Sequence, residues 1–438
     1  MGQSVEWVES SLLKAKNFNL IQIMYPENSN IFTINGGSSS IKFAMYEMAK
    51  TPKPLFSGSI NRIGLKNTSF NVTYVNQDKK MSYDVYCPGF YEAAIFLISW
   101  LKRQKSFDRI KCIGHRVVHG MEHSRAEVID ATLIKELKRI RDYDPEHLPA
   151  EIEIIELFKY RCPGVLQVAC FDTAFHTTMP RIAKILPIPR RFDRAGVQRY
   201  GFHGLSYAFL MEKLKEIAGA GEANGRIILA HLGNGASLAA LKDGKSMDTS
   251  MGFTPAGGCI MGTRSGDLDP GVAWYMMNCE GMNTKQFNHL INHEAGLLGV
   301  SETSADMQDL LKTESSDVRA AEAVALFCYQ LKKWIGSFMT VLEGLDTLVF
   351  SGGIGENAPI IRSRVCEGLR FAGVELDKDR NIQNQSEISI EGGKVKVLVI
   401  PTNEELMIAK CTTDLYMESK IKNNGSKISK TWKSNIVK

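Results

Sequence analysis

Three glycine-rich turns stand beside small polar residues: Asn35 to Ser40 within the stretch IFTINGGSSSIKFAMY (31–46), Gly233-Asn234-Gly235 within RIILAHLGNGASLAALK (226–242), and SGGIGEN at 351–357. Glycine permits positive φ and close backbone approach, so such turns can gather N–H groups into an anion-binding nest. Arg116 in GHRVVHG and Arg264 in MGTRSGD offer guanidinium forks for a carboxylate or for the charge on a migrating phosphoryl group. Asp172 in FDTAFH closes an apolar run, at a strand end, where α/β folds place catalytic carboxylates. His203 in YGFHG, His147 in DPEHLP and His231 ahead of the second turn are imidazoles able to donate to a phosphoryl oxygen. These types fit phosphoryl transfer, which needs an in-line nucleophile, donors on the equatorial oxygens and a metal on the nucleotide phosphates.

Other chemistries fit less well. Gly244-Lys245-Ser246 matches the end of a P-loop, but Ala239 occupies the first glycine position and the tripeptide falls in a hairpin turn. No GxGxxG with a following ribose acid stands out. His115, His119 and His123 would share a face of a helix, as zinc ligands can, yet their segment is β-branched and bracketed by glycines, so it reads as a strand and turn.

The elements that must position these residues are legible in outline. Each glycine turn follows a β-branched run, which suggests a duplicated α/β architecture with phosphates gathered between the halves. Apolar spacing of three and four predicts helices over 90–102, 151–160, 207–218 and 320–342. Residues 1–30 read as an extension. A 438-residue chain with 44% hydrophobic residues, no long apolar run and no secretory signal reads as a globular, cytoplasmic protein that does not enter a membrane. Nine cysteines without a CxxC pair read as reduced thiols. The net charge of +5 is misleading, because residues 419–438 hold six lysines and no acid. They read as a disordered polar tail, and the remainder argues against nucleic acid as a partner.

The segments already quoted, with MGFTPAGGCIMGTRSGDLDPG (251–271), GIGENAPIIRSRVCEGL (353–369) and IPTNEELMIAK (400–410), resemble the acetate kinase family in consistent order over about residues 31–416. The resemblance implies a ribonuclease-H-like, actin/heat-shock-chaperone/sugar-kinase type α/β fold of two domains, each with a mixed five-stranded sheet, and an interdomain cleft. One domain would take residues 1–174 plus 403–438 and the other 175–402. It implies ATP as co-substrate, Mg²⁺ (or Mn²⁺), a small carboxylate as acceptor and a homodimer. Its catalytic set maps onto Asp172, Arg116, Arg264, His203 and His147, and its acyl pocket onto Arg116, Val118, Phe202 and Pro255. Nucleotide contacts map onto Ser38, Ser40, Lys42, His231, Gly233, Asn234, Gly235, Asp306, Gly353, Gly355 and Asn357. Asn35 and Glu404 map onto the metal.

The departures from the family pattern are specific. A-P-L-H-N-P becomes Asp144-Pro145-Glu146-His147-Leu148-Pro149, so an acid stands where a pocket leucine is usual. GFHGTSH becomes GFHGLSY, with Tyr207, and Gln308 replaces an arginine near the adenosine. Propionate or butyrate as substrate, and a non-catalytic or phosphatase member of the same fold, remain the competing readings.

Overall fold

The computed structural model describes residues 25–37, 39–75 and 79–435, the last fourteen (422–435) by backbone alone. Ser38, residues 1–24 of the extension and residues 436–438 lie outside the described residues. The chain divides into two compact units. The first comprises the described residues up to Val118, Arg125–Phe171 and the chain from Glu405; the second comprises His119–Ser124 and Asp172–Glu404.

In the first unit, strands β1 (Asn30–Gly36), β2 (Ser40–Glu47), β3 (Lys53–Asn61), β4 (Ser69–Tyr74), β5 (Lys79–Asp84), β6 (Ile110–Val117), β7 (Glu127–Val128) and β8 (Leu166–Phe171) form one sheet. Its order is β5-β4-β3-β2-β1-β6-β8-β7. Strand β1 is buried throughout, as a central strand covered on both faces must be. Phe32 and Ile34 point into one layer with Phe43, Phe70 and Trp100, against the Phe90–Leu101 and Leu148–Arg161 helices. Ile31 points into the other, with Ala44, Cys112, Ala409, Tyr416 and Met417 of the Glu404–Asn435 helix. Gly114 lets that helix approach, since a Cβ there would lie 2.2 Å from Thr412 Oγ1.

In the second unit, β9 (Ile227–Leu232), β10 (Ala236–Lys242), β11 (Lys245–Thr249), β12 (Thr347–Ser351) and β13 (Lys396–Val399) run β11-β10-β9-β12-β13. Tyr207, Leu210 and Leu214 of the Gly204–Ala223 helix pack on one face of it. The Val318–Val341 helix packs against β9, β10 and β11. The pairings of β11-β10-β9-β12-β13 are antiparallel, antiparallel, parallel and parallel. The series β3-β2-β1-β6-β8 repeats that pattern. This is the duplication expected from the sequence.

Two expectations are corrected. The first sheet has eight strands, not five, because the hairpin β4–β5 and the short β7 extend the shared five at both edges. The polar tail is helical through Asn435 rather than disordered. It continues a helix already nucleated and packed at Ala409 and Tyr416, and propagating a helix is far easier than starting one. The Gly244-Lys245-Ser246 turn is a hairpin turn, with Asp243 and Gly244 at φ 55° and 70° between β10 and β11.

Candidate functional site

The second unit assembles its site from loops at the ends of β9 and β12. Gly233-Asn234-Gly235 joins β9 to β10, with Gly233 N donating to Gly235 O at 3.0 Å. Gly352, at φ 75°, turns the chain out of β12 directly over Leu232, where a Cβ would meet Leu232 O at 2.7 Å. Gly262 lies against the same loop and its N–H donates to Asn234 O. The glycine requirement here is therefore one of close approach. Around these turns Gly233, Asn234, Ala305, Asp306, Gln308, Gly353 and Asn357, among others, line a cavity of about 470 Å³. That falls within the range of small-molecule pockets. Asp306 also caps the Met307–Thr313 helix, accepting from Gln308 N at 2.7 Å. Gly355 does not line the cavity; it is buried against Phe350, Ala230 and Leu232.

Beside the Gly233–Gly235 loop lie two histidines. The His203 and His231 rings are 4.3 Å apart. His203 holds a left-handed backbone (φ 59°, ψ 22°) as the residue preceding the Gly204–Ala223 helix, a conformation a non-glycine residue keeps only when its surroundings impose it. Its Nδ1 meets Ser237 Oγ at 2.8 Å, and Tyr207 Oη meets the same oxygen. His231 Nδ1 meets Ser206 Oγ, which also meets Thr402 Oγ1, both at 2.8 Å. A Cβ on Gly235 would lie 3.3 Å from His203 Nε2 and 3.8 Å from Arg264 Nη1, so glycine brings both side chains to the loop. Arg264 Nη1 donates to Pro255 O at 3.3 Å. Asp172 is 1% exposed, and its Oδ1 accepts from Leu205 N at 3.4 Å at the start of the Gly204–Ala223 helix, where the helix dipole favours a carboxylate. Phe202 is buried, and its carbonyl accepts from His176 Nε2 at 3.1 Å. Ser246 therefore donates to His176 Nδ1, and burial pushes that imidazole down to about 4.

The first unit holds the other named residues. Arg116, on β6, donates through Nη1 to Gly36 O at 2.8 Å. Val118 N donates to both oxygens of the buried Glu151. His147 Nδ1 lies 3.0 Å from Asp144 Oδ1, and both residues are buried. Ser40 and Lys42 lie at the start of β2, and Lys42 pairs with Asn35 across the β1–β2 hairpin. Asn35 Nδ2 donates to Glu405 Oε1 at 3.2 Å, the residue next to Glu404. Glu146 is half-buried. His115 is a core residue of β6 against Phe158, held down at about 4 by burial, and among the described residues no group of three His, Cys, Asp or Glu side chains could hold a metal ion.

Sequence reasoning missed four residues that shape the site. Arg362 is wholly buried and donates to Gly355 O, Glu356 O, Asn381 Oδ1, Asn381 O and Asn384 Oδ1. Burial pushes its guanidinium down to about 10, so it remains charged at neutral pH. Glu356 Oε1 accepts from Gly352 N at 2.9 Å and Thr402 N at 3.2 Å, tying the 352–357 turn to the Ser206–His231 pair through Thr402. Ser237 and Ser206 set the two histidines. The only sequence signal for Arg362 was its place nine residues after the second glycine of GGIGEN.

A sheet of this order in duplicate, with a small-molecule pocket at a glycine turn, is a two-unit α/β fold of the actin and sugar-kinase type with a candidate nucleotide site. The chain belongs to the acetokinase family, whose model matches residues 30–410. It is 41% identical to an acetate kinase of Rhodopseudomonas palustris (strain TIE-1) over 389 residues, 87% of this chain and 96% of that one. It is 42% identical to a propionate kinase of Citrobacter rodentium (strain ICC168) over 387 residues, 87% of this chain and 95% of that one. The crystal structure of Porphyromonas gingivalis acetate kinase is similar with a TM-score of 0.79 at 37% identity, covering 88% of this chain and 99% of that one.

Proposed function

We propose that the chain is an ATP-dependent acetate kinase, moving the γ-phosphoryl group of ATP to an acetate oxygen to give acetyl phosphate and ADP, reversibly. The observation that carries this reading is the 470 Å³ pocket of the second unit, whose Gly233-Asn234 wall continues through Gly235 to His203 and Arg264. Acetate is ionised at neutral pH, so no proton need be removed before its oxygen attacks phosphorus. The bond formed is carboxylate oxygen to γ-phosphorus; the bond broken joins that phosphorus to the bridging oxygen, and ADP leaves.

In this reading the nucleotide takes the Asp306, Gly353 and Asn357 pocket, with its phosphates on the Gly233–Gly235 backbone; for Ser40 and Lys42 of the β1–β2 hairpin the family resemblance supports a nucleotide-binding role. Arg264 and His203 donate to the equatorial oxygens, with the His231 ring beside His203; for Arg116 and His147 of the first unit the family resemblance supports a catalytic role. Asp172 orients the acceptor. Val118, Phe202 and Pro255 give the apolar wall for the acyl group. Asn35 is 6% exposed and shares a hydrogen bond with a carboxylate at the end of β1, a hard-oxygen donor set of the kind Mg²⁺ or Mn²⁺ takes. Asn35 and Glu404, with Glu405 beside it, would hold the ion, which when bound neutralises charge on the nucleotide phosphates.

A homodimer is supported by the Pro270–Asn278 helix, PGVAWYMMN, which has no buried residue and leaves Trp274 64% and Tyr275 53% exposed. An apolar helix left uncovered marks an interaction face. Seven of the nine cysteines are buried and all are free thiols, which supports a cytoplasmic location; no described helix is long and apolar enough to cross a membrane. Trapping acyl phosphate as the hydroxamate, with Mg-ATP and acetate, tests the activity. Arg116→Ala should lower kcat by a factor of about 100 or more; near-normal turnover would remove Arg116 from the site.

Propionate is the second reading, favoured by the propionate kinase among the relatives, while Glu146 in the place of the usual pocket leucine leaves the acid open. One methylene shifts kcat/KM by only about 10–200-fold, so the two acids should be compared side by side.

A further inference from the structure

The hydroxyl of Tyr207, where the family pattern has histidine, is 0% exposed and its hydrogen-bond partner is Ser237 Oγ at 2.5 Å. Ser237 is equally buried, and its Oγ has a second partner, His203 Nδ1 at 2.8 Å. Three polar atoms thus share two hydrogen bonds in a row that is buried at its Tyr207 and Ser237 end, and the protons there can be assigned by counting.

A phenol that cannot reach water needs an acceptor for its O–H, and Ser237 Oγ is the acceptor present. Burial raises the Tyr207 phenol, so the proton stays on it. Ser237 has one proton, and the remaining acceptor for it is His203 Nδ1. That nitrogen is then a lone-pair acceptor, and the ring proton must sit on Nε2. The reverse order, with Nδ1–H donating to Ser237 and Ser237 to Tyr207, strands the phenol's donor in the core. Such a stranded buried donor disfavours that order by a factor on the order of 10–100. His203 Nε2 lies on the Gly235 side of the ring.

We propose that Tyr207 and Ser237 are positioning residues that hold His203 as the neutral Nε2–H tautomer, a committed donor toward the phosphate-binding loop. This rests on the reading of His203 as a donor to the transferring phosphoryl group. Neutral imidazole otherwise exchanges its proton between both nitrogens, and only one tautomer is productive. Tyr207 acts through Ser237 and touches no substrate.

The test is the ¹⁵N spectrum of histidine-labelled full-length protein, with the His203 signals assigned by their absence in His203→Gln. The wild type should show Nδ1 as an unprotonated acceptor and Nε2 as protonated. Tyr207→Phe frees the Ser237 proton to turn away, so both tautomers should appear and kcat should fall about two- to fivefold, with KM for ATP within twofold. Ser237→Ala should give the same mixture where Tyr207→Phe does not fold. His203→Gln places an amide donor near Nε2 and should retain at least tenfold more activity than His203→Ala. A wild-type spectrum with Nδ1 protonated overturns the inference. So does an unchanged tautomer in both relay variants. If the tautomer is as stated but His203→Gln is no better than His203→Ala, the relay stands and the donor reading of His203 fails.

Discussion

Replacing Arg362 by lysine should both destabilise the second unit and weaken nucleotide binding. The guanidinium spends its donors on five acceptors between 2.6 and 3.0 Å away, two of them the carbonyls of Gly355 and Glu356 in the turn that opens onto the pocket. An ammonium carries three protons, so at least two of the five acceptors lose their partner. A buried acceptor left unsatisfied costs roughly 1–3 kcal/mol, which puts the loss at about 2–6 kcal/mol for the pair. The Gly355 and Glu356 carbonyls then no longer fix the 352–357 turn, and Gly353 and Asn357 of that turn line the pocket. KM for ATP should rise about tenfold, a change of about 1.4 kcal/mol, while KM for acetate stays within twofold. Urea unfolding of the full chain gives the first number and initial rates at varied ATP give the second. If the unfolding midpoint and KM for ATP both stay at their wild-type values, Arg362 does not hold the turn and the reasoning from its hydrogen bonds is wrong.

Gly262→Ala would put a Cβ 2.3 Å from Asn234 Oδ1, so Asn234 must leave the pocket wall; overpacking of this kind costs about 1–3 kcal/mol, and ATP affinity measured calorimetrically should fall about tenfold. Adding Asn234→Gly should recover the stability but not the affinity. His115 and His176 are held down at about 4 by burial, against an ordinary value of 6.5. Because the unfolded chain takes up protons first, stability is full above about pH 6.5 and drains away toward pH 4, by about 2 kcal/mol per histidine at pH 5. Unfolding midpoints at pH 7 and pH 5 check this, and His176→Gln should remove about half of the difference.

The glycine turns were readable in the sequence because turn chemistry is local. A β-branched run followed by Gly-Asn-Gly has few alternatives, and β9 and β10 fall within a residue or so of the run read from it. The pocket residues Asp306 and Asn357 came from motif order rather than from periodicity. What stayed hidden depends on distant partners. Nothing around Arg362 says that its guanidinium is buried, since arginine on an exposed helix has the same neighbours in sequence. Tyr207 could be seen as a departure from the family pattern, but its link to Ser237 crosses from a helix to a strand. The added strands β4, β5 and β7 were missed because half-exposed strands lack a strong apolar pattern; β5, KKMSYD, is nearly all exposed. The lysine-rich tail was misread for the opposite reason: its composition is polar, and its helix is inherited from the packed turns before it.

The helix that covers the second face of the first sheet follows the whole second unit in sequence, and this has a consequence for synthesis on the ribosome. Ile31, Ala44 and Cys112 emerge before the second unit, but Ala409, Tyr416 and Met417, which bury them, are made only after it. At ordinary translation rates the first unit waits on the order of 10–50 s after Phe171 with one apolar face uncovered. The second unit lies within that interval and has all its strands before the tail is made. Folding of the nascent chain therefore runs inside out. The second unit closes first, and the first unit, whose strands are made before it, is finished after it.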